Sequence, residues 1–164
     1  QHQFKTKNYD LLPLCRVGSS TGRKIWLRTA LKYRDNATGK WLKISWKEFS
    51  EKVMLGQGNG EFGIEVQDNI GVYSQNMPQC FYTDFGAYAN RVVSIPMYAT
   101  NSPGQIEYII NDAHIHTLFV GEQLQYNNAF KVQKESNTEA PGGVDPAVKL
   151  NPEDKTSIYF DDFL

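Results

Sequence analysis

Several groups of residues could do chemistry by type or spacing, and each has to be weighed against a plainer role. Gly56, Gly58 and Gly60 invite comparison with a phosphate-binding loop, whose exposed backbone N–H groups cradle an anion. Neither supporting feature is present. No Gly-Lys-Ser/Thr ending follows, and the cluster comes after a helix-like run, whereas a dinucleotide fingerprint follows a strand. A helix end or a connection is the better reading. His114 and His116 flank Ile115 and on a strand would point the same way, as two imidazoles sharing a metal must. Asp112 is near, but no third ligand stands at useful spacing, which favours a polar sheet end. His2 falls close to the start of the chain and adds nothing.

Asp84, Asp154, Asp161 and Asp162 could be imagined as paired carboxylates for acid/base work. None of them follows a strand convincingly, so solvated charges at a helix start and in loops are expected. Ser74 follows an apolar segment, yet Tyr73-Ser74-Gln75-Asn76 lacks the flanking glycines of a nucleophile elbow. Cys15 and Cys80 sit among apolar neighbours with no histidine placed to suggest a dyad, and read as buried free thiols. The sequence thus nominates no catalytic, cofactor-binding or metal-binding residue. Asn36-Ala37-Thr38 is formally a glycosylation sequon but reads as a turn.

The elements that would position such residues are clearer. Asn69–Tyr73, Val92–Tyr98 and His116–Val120 are short apolar segments, and the first two each lead into a stretch with helical spacing. Strand, helix, strand, helix, strand is the order of a parallel, helix-covered sheet, joined by right-handed crossovers. One helix is expected to start at Ser45, where Glu48 three residues on can complete a capping box, with Phe49 and Val53 on its buried face. Its end should come early, because each glycine from Gly56 to Gly60 costs on the order of 1 kcal/mol in a helix interior.

The next helix is expected to begin at Asn76 as cap, with Pro78 in its first turn and Gln79 returning a bond. Its aromatic face would comprise Phe81, Phe85, Tyr88 and Tyr82. Ser102, Pro103 and Gln105 repeat the device ahead of an Ile106, Ile109, Ile110 stripe. A fourth helix is expected over Glu122–Phe130. Lys24–Arg34 and Trp41–Trp46, separated by Asp35-Asn36-Ala37-Thr38-Gly39-Lys40, read as a peripheral β-hairpin. Lys134–Lys149, with Pro141-Gly142-Gly143 and Asp145-Pro146, reads as a mobile loop.

Composition agrees with one folded unit. The 164 residues are 40% hydrophobic and 21% charged, enough for a sizeable core and too few for two ordinary domains. A formal net charge of −1 gives no overall positive excess to attract nucleic acid, and no apolar run reaches the length of a membrane span. The expected organisation is a single incomplete domain over 1–164. It has a lead-in segment and hairpin at 1–45, an α/β core at 46–133, and a loop and terminal segment at 134–164.

Read together, Trp46-Lys47-Glu48-Phe49, Gly63-Ile64-Glu65-Val66-Gln67-Asp68, Asn76-Met77-Pro78 and Ile95-Pro96-Met97-Tyr98 form an ordered series. Ser102-Pro103-Gly104-Gln105-Ile106-Glu107-Tyr108 and Leu118-Phe119-Val120-Gly121 extend it. The series resembles the N-terminal portion of the adenylate-forming, AMP-binding enzymes, and most of all the long-chain fatty-acid–CoA ligases. That resemblance implies an α/β fold with a mostly parallel sheet, covering helices and a peripheral hairpin. For the parent it implies activation of a fatty acid as acyl-adenylate and transfer to coenzyme A, with ATP, Mg2+ and coenzyme A as cofactors and none bound to this portion.

The family's phosphate loop, of the form [ST]-S-G-[ST]-T-G-x-P-K, does not occur here, so the matching positions are structural ones. An inactive fragment is therefore expected, completed in the parent by the rest of a large domain and a C-terminal domain. The parent is expected in the cytoplasm, with peripheral membrane attachment and a homodimer left open. Two other readings remain: an adenylate-forming enzyme for an aryl or other acid, and a non-catalytic interaction domain or degenerate synthetase.

Overall fold

In a computed structural model, residues 26–35, 38–55, 64–136 and 143–163 are described. The antiparallel hairpin comprises β1 (Thr29–Arg34) and β2 (Trp41–Ser45), and helix α1 (Trp46–Leu55) follows directly. The core then runs β3 (Asn69–Tyr73), α2 (Pro78–Ala89), β4 (Val93–Met97), α3 (Pro103–Asp112), β5 (Thr117–Val120) and α4 (Gln123–Ser136). Two short strands, β6 (Gly143–Val144) and β7 (Ile158–Tyr159), and the single turn α5 (Phe160–Phe163) complete it. The three apolar segments singled out in the sequence form adjacent strands within a residue of their expected ends.

Strand order in the main sheet is β4-β3-β5-β6-β7, and every pairing is parallel. From β3 the chain steps outward to β4, then returns past β3 to β5. Successive crossovers of one hand in opposite directions must cover opposite faces, and the packing does so. Ile70, Val72, Phe119 and Val92 meet α1 and α2 through Phe49, Val53 and Tyr82, whereas Tyr73, Leu118 and Val120 meet α3 and α4 through Ile106, Ile110 and Tyr126. Alternate residues of β3 thus feed two separate apolar layers. Pro96 lies in β4, an edge strand, where its missing N–H costs no ladder bond to a further neighbour.

The helix starts were legible to different degrees. At α1 the Ser45 N–H donates to Glu48 Oε2 at 2.7 Å and the Glu48 N–H to Ser45 Oγ at 3.2 Å, the reciprocal box the spacing predicts. Hydrogen bonds from Ser45, backbone and side chain, hold the Glu48 carboxyl below its ordinary range. At α3 the Ser102 N–H donates to Gln105 Oε1 at 2.8 Å, and Ile106 and Ile110 are buried beneath.

At α2 the expectation is corrected. Pro78 takes the first helical position, so Met77 rather than Asn76 is the cap, and no side chain caps the helix. Gln79 instead donates from Nε2 to Asp145 Oδ2 at 3.3 Å. The aromatic face also turns by about one residue: Tyr82 is buried with Thr83, Gly86 and Ala87, while Phe81 and Tyr88 are exposed. Phe85 sits at the seam with α1, 5.4 Å from the Phe49 ring, where helix-to-helix packing claims it instead of the sheet.

Further along, α4 continues to Ser136, past the expected end at Phe130. The Lys134–Lys149 loop is corrected as well, because Gly143–Val144 is a strand inserted between β5 and β7. Glycine there signals close approach rather than a turn: a Cβ on Gly143 would lie 2.7 Å from Phe119 Cδ1. The lead-in residues 1–24, the glycine cluster Gly56–Gly60, part of the Asn36 sequon and Pro141-Gly142 lie outside the described residues.

Gly71, central in β3, has the same kind of constraint. A Cβ there would lie 2.6 Å from Leu118 Cδ1 and 3.0 Å from Met97 Cε. Gly71→Ala should therefore destabilise the fold by about 1–3 kcal/mol through overpacking, read as a lower urea midpoint. Adding Leu118→Ala should cost less in the Gly71→Ala background than in the parent sequence. Additive losses in this double-mutant cycle would show that the two positions do not compete for space.

Candidate functional site

The sheet reverses its winding between β3 and β5, and in open parallel sheets the crevice beyond the carboxyl ends at such a switch point is where ligands bind. Here the strand ends are laced together. The Gly121 N–H donates to the Tyr73 carbonyl at 3.1 Å, and the Asp145 N–H to the Val120 carbonyl at 3.2 Å, chaining the ends of β3, β5 and β6. Only glycine fits at 121, since a Cβ would stand 2.0 Å from Ser74 Oγ. Beyond this seam lies an open cleft of about 780 Å³, walled by the β3–α2 loop from Gln75 to Gln79, by Glu122 and Gln123, by Asp145 and Ala147, and by the hairpin at Tyr33 and Trp41.

The polar groups that set this edge are already engaged in structure. Gln125, fully buried, accepts the Glu122 N–H on Oε1 and donates from Nε2 to the Ala99 carbonyl at 2.9 Å, tying the β4–α3 loop to the start of α4. Tyr73 donates its hydroxyl to the Asn101 carbonyl at 2.6 Å and accepts from Asn128 Nδ2 at 3.0 Å. Asp145 accepts the Ala147 N–H at 2.8 Å and turns the chain after β6. Gln79 Oε1 is the exception: it is buried with no hydrogen-bond partner. These loops are well positioned, but they hold no nucleophile beside a base.

The residues nominated and set aside in the sequence are not gathered at this edge. His114 lies in a turn with φ of 50° and His116 precedes β5, both exposed, so they do not share a strand face. Asp84 is not a solvated helix-start charge: it sits inside α2 and accepts the Ser94 hydroxyl at 2.6 Å. Asp154 is more than a loop charge too, accepting the Tyr126 hydroxyl at 2.7 Å and the Thr156 and Ser157 N–H groups. Burial would raise its pKa, but bonds from Ser157, Tyr126 and Thr156 outweigh that and lower it.

Asp162 is exposed on α5. Ser74 and Cys80 do reach the seam, yet each is turned back on the chain. The Ser74 hydroxyl donates to the Gln75 carbonyl at 2.9 Å, and the half-buried Cys80 thiol lies 3.1 Å from the same oxygen. Cys15 and His2 fall outside the described residues. Among the described residues no cluster of three or more histidine, cysteine, aspartate or glutamate side chains could hold a metal ion. Sequence reasoning passed over Gln125 and Tyr73, and nothing in their local spacing distinguishes them from ordinary helix and strand residues.

A helix-covered parallel sheet that reverses its winding is an open α/β fold. It superimposes on an acyl-CoA synthetase of Brucella canis with a TM-score of 0.72 at 15% identity, over 92% of this chain and 26% of that one. The sequence model of the AMP-binding enzyme family matches residues 25–162, and the chain belongs to that family. Among curated relatives, long-chain-fatty-acid–CoA ligase 6 of Rattus norvegicus is 36% identical over 84 residues, 49% of this chain. Fatty acyl-CoA synthetase A of Dictyostelium discoideum is 29% identical over 114 residues, 68% of this chain. The matched stretches span only 12% and 17% of those two proteins' lengths.

Tyr126 offers a direct check on how the terminal segment is held. Besides Asp154, it receives the Asn151 N–H at 2.8 Å. Burial above all, helped by Asp154, pushes its hydroxyl up to about 12, and burial does the same for Tyr82. A raised folded pKa contributes stability that is intact below the unfolded value of about 10 and is lost as pH rises toward 12. Tyr126→Phe should destabilise by about 1–2 kcal/mol at neutral pH and flatten that alkaline decline. Urea titrations from neutral pH to about 12 would test both; an unchanged midpoint at neutral pH would dismiss the tether.

Proposed function

We propose that the protein to which these residues belong is an ATP-dependent acid–thiol ligase acting on fatty acids. Family membership carries this reading, and the fatty-acid ligases among its relatives support the choice of acid. The reaction class is a two-step exchange. The acid's carboxylate displaces pyrophosphate at the α-phosphorus of ATP to give an acyl-adenylate, and the thiolate of coenzyme A then displaces AMP from the acyl carbon. The first step turns a poor leaving group into a good one. The described residues contribute scaffold to this chemistry: a carboxyl edge with the loops after β3, β4, β5 and β6 held by hydrogen bonds. We place the protein in the cytoplasm; no helix among the described residues is long and apolar enough to cross a membrane.

Pyrophosphate release by the intact protein, screened over short, long and aromatic acids, tests the activity. Release is expected with long-chain acids. Release confined to aromatic acids would reassign the substrate, and none at all would favour a non-catalytic interaction role.

The stretch of 164 residues by itself should be silent. A nucleotide site needs several groups held within about 0.5 Å of their working positions, and the chain contains no phosphate loop. Isothermal titration of the isolated 164 residues with ATP and magnesium should show no saturable heat. Low-micromolar binding would reveal a nucleotide site within them.

A further inference from the structure

The five-stranded sheet ends in two edge strands that are protected unequally. β7 is two residues long, too short to offer a further strand a useful ladder. β4 is five residues long, and its register against β3 is unbroken, so no bulge bends it away from a would-be neighbour. No residue of it is charged, and Val93 and Pro96 are exposed. Of the usual devices that blunt a strand edge, only the proline is present.

The position of that proline decides which backbone groups face outward. Successive residues of a strand turn their N–H and C=O groups to opposite sides, and the Val93 N–H donates to the Asp68 carbonyl at 2.8 Å. Val93, Ile95 and Met97 therefore bond toward β3, and Ser94 and Pro96 face away from it. Among the described residues nothing bonds the Ser94 N–H or the carbonyls of Ser94 and Pro96, while the Ser94 hydroxyl is committed to Asp84.

A second copy could lie antiparallel against this edge about a two-fold axis at Ile95, which sets Ser94 of each copy opposite position 96 of the other. With any residue but proline at 96, each of those two pairs would exchange two N–H···O bonds. Proline leaves one bond in each pair, and its ring takes the place of the missing hydrogen. Moving the axis to Ser94 does not evade the block, because Val92 then opposes position 96 and has already given its N–H to the Ala87 carbonyl at 2.9 Å. The local sequence gives the block its purpose. Val92-Val93-Ser94-Ile95 with Met97 and Tyr98 has the β-branched, apolar, uncharged make-up of segments that stack on their own copies, and such segments lack proline.

We propose that Pro96 is the residue that keeps β4 from pairing with a second copy of the chain. The missing N–H, rather than a cover or a charge, is what ends the sheet there. This reading stands independently of the ligase activity.

Hydrogen exchange and sedimentation of the intact protein test it together. In the unaltered protein the Ser94 amide should exchange at nearly the rate of an unstructured one, and the Ile95 amide, bonded to β3, at least about a hundredfold more slowly. Pro96→Val restores the N–H and should tighten self-association by about tenfold or more, read as a concentration-dependent rise in sedimentation coefficient beyond that of the unaltered protein. The amides at positions 94 and 96 should be protected only in the associated form. Pro96→Thr restores the same N–H with a polar side chain and carries the same expectation, so the outcome rests neither on one variant nor on added apolar surface. Adding Val93→Lys to either variant should return the original sedimentation, since a lysine on an edge strand opposes pairing.

Three results would each overturn the proposal. One is a protected Ser94 amide in the dilute unaltered protein, which would mean that the edge is already paired or covered by the rest of the chain. Another is sedimentation of both position-96 variants like the unaltered protein at every concentration. The third is association that leaves the amides at 94 and 96 exposed, which would place the contact elsewhere.

Discussion

The fold depends on how closely β3 can approach its two neighbours. Gly71 sits where the side chains of Leu118 and Met97 converge from the flanking strands, and the space a Cβ would fill is occupied by their terminal carbons. A larger residue would push those terminal carbons off the sheet face, toward the helices packed on it, at the point where Gly71 pairs with Ile95 and Leu118. Because interiors are packed near crystal density, such a displacement is transmitted rather than absorbed. The layer of Ile106, Ile110 and Tyr126 rests on those same side chains, so the position of α3 and α4 follows from a missing methyl group.

The carboxyl edge repeats this logic at Gly121. Its closeness to Ser74 brings the ends of β3 and β5 together at the point where the sheet changes its winding, the usual place for a ligand crevice. Among the described residues the crevice is narrowed along its seam and widens further out, toward the hairpin. Chemistry at this edge has to come from groups that project over the seam. The two hydroxyl or thiol groups nearest it, on Ser74 and Cys80, both turn back to the Gln75 carbonyl. The edge is built to hold loops in place.

Much of the sheet could be read from sequence because its signals are local. Asn69–Tyr73 and Thr117–Val120 are apolar on both faces, as buried parallel strands must be, and the boxes at Ser45 and Ser102 need only a four-residue window. The errors arose where a long-range partner decides. The turn of α2 that buries Tyr82 and exposes Phe81 is set by α1, and its packing on Phe49 has no trace in the spacing of α2 itself. Gly143–Val144 has loop composition, yet it pairs with β5 and β7 as a strand, and Phe119 leaves no room for a Cβ at 143. Asp154 and Gln125 looked like ordinary polar residues, and their importance rests on bonds spanning 28 and 26 positions.

Buried polar groups help this edge hold its shape beside the apolar cluster of Val120, Val144 and Val148. Gln125 is fully buried and satisfied at both ends of its amide, so losing either partner would leave a buried polar group unpaired. Tyr73 is likewise fully buried, its hydroxyl engaged as both donor and acceptor. The two residues fix the β4–α3 loop from opposite sides, one at Ala99 and the other at Asn101, and both draw on α4. A loop pinned twice within three residues cannot shift unless both bonds break together. Movement at this end of the sheet must then involve α4 as a unit, and the Tyr126 bonds to Asn151 and Asp154 on that same helix carry the constraint on to the terminal segment.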